Sequence, residues 1–422
     1  MSIVKKLETL NKYYFFLFFF LIILFSRALF LTYSLSTYPW YYEWQHLEYF
    51  IQLKNDDYSF IFSHSLRNQF QIFTKLTYLI LFYMSDYLWL SKIWTIINQI
   101  IPAITLAFVI TVLFYKEIKS TWFLIILIIF SIFPSSLSNF YHLSESHFYF
   151  QLLIISLAFY SFDRFIGLKK ILIICILGIC SILNMAAVSV IFFLTFSVFY
   201  FVKFLFEKKN KNIVYGTLIL LGTIFYYLIS FYLKISSIYG TSNITESSIV
   251  RSLYLIFKGF FHQNNILLGL FLLITMASYF FKHETRFFEK YKNNSFFLLF
   301  IIFSFLTIFS ISIGKVQIYD RYKDFFQIFG LISLFLFINL SINKYAKNLL
   351  LIIITLIISY NSLFFLDKFR YFRFETKNYD KSINDAIVKY KNNKIIIKQE
   401  HLNHKARRFP LLIMSAVDNK LF

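Results

Sequence analysis

Cysteine, proline, glycine and acidic residues are all scarce in this chain, and each scarcity removes a class of protein. The only cysteines among 422 residues are Cys175 and Cys180, and both fall in one apolar run. They form neither a disulfide framework nor a thiolate metal site, and they read as packed side chains. Four prolines and nine glycines leave no glycine-rich phosphate loop and few broken helices. Charged residues make up 15% of the chain, and almost none lies in the middle of an apolar run. Together with the lack of an internal repeat, this weighs against transporters built from duplicated halves with interrupted helices.

What is abundant is apolar surface. Hydrophobic residues make up 59% of the sequence and the mean hydropathy is +0.65, outside the range of soluble domains. The 59 Phe and 31 Tyr accompany much Ile, Asn and Lys, a set favoured by AT-rich codons. Their number alone therefore does not make a sugar-stacking platform. Basic residues outnumber acidic ones 42 to 21, for a formal charge of +21. They cluster in short connections between apolar runs, the pattern of membrane topology and not of nucleic-acid binding.

Apolar runs recur at 13–35, 93–115, 121–139, 148–166, 169–184, 187–206, 213–233, 265–281, 295–313, 324–340 and 348–366, each near the roughly 20 residues a span requires. The expected fold is an all-α polytopic membrane protein of about 11 transmembrane helices. The stretch from Ile171 to Phe206 is too long for one helix and is best cut near Asn184, giving a tight outer hairpin. With the N-terminus inside, every inner connection is basic: Lys116 and Lys119; Arg164, Lys169 and Lys170; Lys208, Lys209 and Lys211; Lys282, Arg286, Lys290 and Lys292; Lys344 and Lys347. The odd count puts the C-terminus outside.

The first outer loop, 36–92, contains an apolar stretch, 69–90, interrupted by Lys75 and Asp86. It reads as interfacial and amphipathic, not as a span. The first apolar run is too long for a signal-peptide core and is expected to remain as an anchor. Residues 1–366 are the expected transmembrane domain. Beyond it, 367–422 turns rich in Lys, Asn and Arg, which predicts a small outer domain: a helix near Lys381 to Lys391, a strand near Lys394 to Lys398, and a helix around Pro410.

Four outer features could carry chemistry. The first loop holds Trp40-Tyr41-Tyr42-Glu43-Trp44 with His46 and Glu48 close behind, and a carboxylate there can deprotonate a hydroxyl nucleophile. Asp56 and Asp57 read as a solvated turn. Between two spans lies His142-Leu143-Ser144-Glu145-Ser146-His147, where Glu145 is placed to orient an acceptor or the first-loop base. His142 and His147 flank that acid, but no partner cluster has metal-ligand spacing, so a divalent metal is the weaker reading and no cofactor is expected.

The third feature is Lys315-Val316-Gln317-Ile318-Tyr319-Asp320-Arg321-Tyr322-Lys323, whose cations run against the positive-inside trend. An anion to bind explains them, and Arg321, backed by Lys315, suits bidentate contact with phosphate. The fourth is Arg27, late in the first span, which either snorkels outward as a structural residue or meets the same anion. Arg251, Lys258 and His262 are weaker candidates of that kind.

The layout resembles the GT-C superfamily of membrane glycosyltransferases, above all bacterial members that use polyprenyl-phosphate sugars. The likeness rests on Arg27, on Trp40-Tyr41-Tyr42-Glu43-Trp44 where relatives read Trp-acid-acid-Trp, on Ser144-Glu145, and on Asp320-Arg321-Tyr322. The departure is Tyr42, which stands where relatives carry a second acid, and Glu48 is the substitute to test.

The resemblance implies an enzyme of the bacterial cytoplasmic membrane with its site facing outward. The donor phosphate would be held by Arg321 with Lys315 or Arg27. Glu43 would take the proton from an acceptor hydroxyl of a glycan or lipid, and Glu145 would position that acceptor. Transfer would be inverting, with membrane lipids as the surroundings and no nucleic acid as partner. Competing readings are an O-antigen or capsule polymerase or ligase, a lipid-linked sugar or solute transporter, and a membrane acyltransferase.

Overall fold

The computed structural model describes residues 11–32, 38, 47–63, 71–84, 99–116, 121–132, 146–232, 250, 344–393, 396–402 and 410–420, with isolated positions between 295 and 335. Among them the regular structure is helical: α1 (Lys12–Thr32), α2 (Leu47–Lys54), α3 (Ile72–Met84), α4 (Ile100–Phe114), α5 (Thr121–Ile132), α6 (His147–Arg164), α7 (Gly167–Glu207), α8 (Asn210–Tyr232), α9 (Lys344–Asn393) and α10 (Pro410–Asp418). Among the described residues three stretches are long and apolar enough to cross a membrane: Lys12–Leu29, Gly167–Met185 and Val188–Leu205. The expected runs at 265–281 and most of 295–313 and 324–340 lie outside the described residues.

The cut near Asn184 is present. Helical backbone breaks at Met185 (φ −137°, ψ 86°), and a Cβ built on Gly178 would lie 3.4 Å from the Phe193 ring. In one straight helix those residues would stand roughly 22 Å apart at 1.5 Å per residue, so α7 doubles back as a hairpin.

The bundle has two distinct ends. Lys12 and Arg164 both lie over the Tyr160 ring, at 5.1 and 5.4 Å from its centroid, and Phe15 meets Tyr115. The start of α1 and the ends of α4 and α6 therefore share one end, with Lys170 over Phe162 and the Lys203–Glu207–Lys209 cluster at the tips of α7. The opposite end gathers the end of α1, the starts of α4 and α6, and the hairpin tip of α7. Between the two ends, Phe159, Phe162, Phe192, Phe196 and Phe199 interlock edge to face, the arrangement aromatic quadrupoles favour. The outward sides of α7 and α8 remain apolar, with Ile171, Ile176, Leu218 and Leu228 exposed.

A second core stands apart from the bundle core. It joins Tyr38, Leu47 and Phe50 of the first loop, Tyr78 and Leu81 of α3, and Tyr379, Ile383, Ala386, Ile387, Ile397, Leu402, Ile413 and Ala416 of the C-terminal segment. The Tyr38 hydroxyl donates to Asn384 Oδ1 at 3.1 Å. Lys54 Nζ donates to the carbonyls of Asn419 and Lys420 just past α10. Carbonyls at the end of a helix lack intrahelical donors, and a lysine there also meets the negative end of the dipole.

Two local expectations change. The helix expected at 381–391 is the end of α9, whose 50 residues run for about 75 Å straight across residue 367. Leu351 belongs to the bundle core and Tyr379 to the second core, so one helix serves both. The strand expected near 394–398 does not form over its described part, 396–398. Ile397 buries its side chain instead and directs its N–H to Met414 Sδ at 3.4 Å. With no partner strand among the described residues, extended pairing has nothing to stabilise it.

Candidate functional site

The inward face of α1 explains the position of Arg27. Phe15, Phe19, Ile23 and Arg27 follow one another at intervals of four and are all buried, while Tyr14, Leu17, Leu21, Phe25 and Leu29 are exposed. Residues four apart on a helix share a face, so the arginine is the last member of the packed stripe. Its exposure is 0%, so the guanidinium lies within the protein.

The guanidinium is incompletely matched. Nη1 donates to Gln99 Oε1 at 3.4 Å, across 72 positions of sequence, while Nε and Nη2 are buried without a hydrogen-bond partner. No carboxylate pairs with it among the described residues. Gln99 is the N-cap of α4 but makes no side-chain cap; its amide oxygen serves Arg27 instead. The first N–H groups of α4 have no intrahelical acceptor, and Pro102 has no N–H to satisfy. The guanidinium and the start of α4 thus meet at Gln99.

A second buried polar cluster lies at the same end. Asn184, at the hairpin tip, donates from Nδ2 to the His147 carbonyl at 2.8 Å and to Gln151 Oε1 at 3.2 Å. Gln151 Nε2 in turn donates to Ser181 Oγ. Thr74 and Ser146 hydroxyls are 2.9 Å apart, and Gln71 Nε2 is 3.4 Å from His147 Nδ1. Through these bonds both α3 and the tip of α7 are seated on the start of α6.

Lys75 sits on α3 at 1% exposure, its Nζ donating to the Ser63 carbonyl and lying 5.8 Å from the Tyr49 ring centroid. Burial pulls its ammonium down to about 8. The Tyr49 hydroxyl is pushed up to about 12 by burial first and by the Glu48 charge second.

Of the residues singled out from sequence, Arg27 and Glu48 are described. Glu48 is exposed in the first turn of α2, where the helix dipole favours a carboxylate. No described contact brings it to Arg27. Glu43, Glu145, Arg321, Lys315, His142 and Arg251 lie outside the described residues. His147 is 5% exposed and faces an amide. Among the described residues no three His, Cys, Asp or Glu side chains group to hold a metal ion.

Gln99, Gln151, Asn184, Gln71 and Lys75 join the site without standing in any sequence motif. A signal for them does exist, because a lone amide or amine in an apolar run must find a polar partner within the protein. No protein-family model, curated protein or solved structure matches the chain.

Proposed function

We propose that this chain is a membrane glycosyltransferase that moves a sugar from a polyprenyl-phosphate donor to a cell-envelope glycan or lipid on the outer face of a bacterial cytoplasmic membrane. The observation that carries this reading is the second core. The acid-bearing first loop and the C-terminal segment fold together at the end of the bundle away from its basic connections. A carrier that only passes solute through its helices has no need of such a head. An enzyme that receives a polar acceptor beside the membrane does.

In this reading the chain makes about 11 spans, with the N-terminus inside and the C-terminus outside, and α2 and α3 lie in the first outer loop at the interface. Glu43 is the general base, with Glu48 the acid to test beside it, and Glu145 positions the acceptor. The donor phosphate is held at the cationic sites Arg321, Lys315 and Arg27, which stabilise charge developing on the leaving group.

Complementation tests the reading. In a deletion strain, the wild-type gene should restore surface glycan, whereas Glu43→Gln and Glu145→Gln proteins that reach wild-type membrane levels should not. Full restoration by both variants would refute the assigned chemistry. A reporter joined after Phe422 should be active only outside the cytoplasm; activity inside would overturn the orientation.

A further inference from the structure

Helix α9 carries one exposed stripe whose chemistry changes along its length. Leu349, Leu356 and Leu363 are exposed at steps of seven residues, and Arg370 and Lys377 continue the same steps, exposed as well. Seven residues are two turns less about 20° of drift, so all five lie along one side of the helix. The helical backbone runs on through the change. Only the side chains switch, from leucine to cation.

The switch falls where a bilayer would end. The apolar run 348–366 is about 28 Å long at 1.5 Å per residue, against a hydrocarbon core of roughly 30 Å. Its exposed leucines are matched by lipid, whereas in water an apolar stripe of that length would stand uncovered. Arg370 and Arg373 then stand about 6 and 10 Å past Leu366 along the axis, within reach of the headgroup layer for long cationic side chains. Tyr371 and Phe374 are exposed in the same turn, and rings with an apolar body suit that depth.

The charge is one-sided. From 367 to 381 five cations, Lys368, Arg370, Arg373, Lys377 and Lys381, stand against Asp367, Glu375 and Asp380. Residues 367–422 as a whole hold 13 Lys and Arg against 6 Asp and Glu. The acid nearest the arginines' turn, Glu375, accepts the Tyr371 hydroxyl at 3.1 Å and lies about 140° around the helix from Arg370. Topology does not call for these cations, since they stand at the end of the bundle away from its basic connections. A second copy of the chain would bring like charges together. An anionic phospholipid meets both halves of the stripe, with phosphate for the guanidinium groups and acyl chains for the leucines.

We propose that Arg370, Arg373 and Lys377, with Tyr371 and Phe374, form a collar on α9 that binds anionic phospholipids of the adjoining leaflet. Because α9 runs on into Tyr379 and Ile383 of the second core, a lipid held here fixes that core against the membrane surface. The inference rests on the reading of 348–366 as a span and not on sugar transfer.

The test is hydrogen exchange on the full chain in phosphatidylcholine nanodiscs with and without phosphatidylglycerol. Phosphatidylglycerol should slow exchange over 370–387 about tenfold. Arg370→Gln, Arg373→Gln and Lys377→Gln together should abolish that protection. Arg370→Gln with Lys377→Gln should weaken it at less risk to folding, because both side chains are exposed. Lys208→Gln, Lys209→Gln and Lys211→Gln together, an equal loss of charge at the other end of the bundle, should leave it intact.

Protection that survives the first triple variant would overturn the collar. Equal loss in the Lys208 set would do the same, by showing a response to net charge alone. Equal protection by soluble polyphosphate in phosphatidylcholine discs would overturn the lipid as the partner. The span is checked separately with bimane on Leu356→Cys in a chain carrying Cys175→Ala and Cys180→Ala, which nitroxide on the acyl chains should quench. Quenching there with no effect of the collar variants keeps the span and drops the collar; no quenching drops both. Surface glycan in Glu43→Gln and Glu145→Gln strains reports on transfer alone, so the two proposals fail separately.

Discussion

Replacing Lys75 with methionine isolates a buried charge in the region between the two cores. The lysine is 1% exposed and no carboxylate pairs with it among the described residues; its contacts are the Ser63 carbonyl and the Tyr49 ring. Burial lowers its value from 10.5 to about 8. Below pH 8 the amine is charged in both the folded and the unfolded chain, so the folded state carries the full cost of burying it. Between about 8 and 10.5 the unfolded chain keeps a proton that the folded chain releases. The unfolded state then binds more protons, so stability rises with pH across that window. Above 10.5 both states are neutral and the cost is gone.

A shift of about 2.5 units corresponds to ~3 kcal/mol. Ser63 is itself exposed, so water screens part of that and ~2 kcal/mol is the expected change. Lys75→Met removes the titration and also the hydrogen bond to Ser63, worth ~1 kcal/mol. At pH 7 the variant should therefore match or slightly exceed the wild type. By pH 10.5 the wild type should have gained ~2 kcal/mol on it, on the order of 2 °C in melting temperature. Other lysines and tyrosines titrate equally in both proteins and cancel in the difference. Melting curves of the two purified proteins at half-unit pH steps supply the measurement, and parallel pH profiles would refute the reasoning.

Two further substitutions probe the packing that positions the site. Asn184→Leu deletes the donor to the His147 carbonyl and Gln151 Oε1 and should cost about 2–3 kcal/mol, with faster hydrogen exchange at the start of α6; unchanged exchange would show that the amide does not hold the hairpin tip. Gly216→Ala places a Cβ 2.9 Å from Phe201 Cε1 between α7 and α8, and should cost about 1–2 kcal/mol. A second change, Phe201→Leu, should recover most of that, and failure of the double variant to recover would mean that the helices separate instead of the ring moving.

Much of the bundle is legible in the sequence because membrane spans are written in length. The break beside Asn184 follows from a run too long for one helix. Orientation about the helix axis is hidden. On α4 nearly every position is buried, from Pro102 through Phe114, so no periodic face distinguishes its neighbours. Arg27 is visible in the sequence, but its side of α1 is not, since large apolar residues occupy both the inward and the outward stripe. Its partner Gln99 is separated from it by 72 positions, and no local pattern connects them. The unbroken course of α9 is hidden for another reason. Composition changes at residue 367, yet Lys, Asn, Tyr and Phe are tolerated in a helix, so the chain changes composition without changing backbone.

That continuity bears on how the two cores depend on each other. Inside lipid, apolar surface gains nothing by leaving the hydrocarbon, so the bundle is held by contact quality such as the interlocked Phe159, Phe162, Phe196 and Phe199. If the second core stands in water, as proposed above, it is held by burial itself, and Leu47, Phe50, Tyr379, Ile383 and Ile413 are each at most 1% exposed. These forces respond differently to solvent. Detergent that loosens side-chain packing should act first on the bundle, and denaturant should act first on the second core. Because α9 belongs to both, loss of either removes a support from the other at residues 351 to 379. The cluster around Asn184, Gln151, His147 and Thr74 is the second bridge, and it is polar. Among the described residues the first loop therefore meets the rest of the fold through its packing on α9 in the second core and through the hydrogen-bonded seat of α3 on α6. The seat can be changed by a single side chain without breaking a helix.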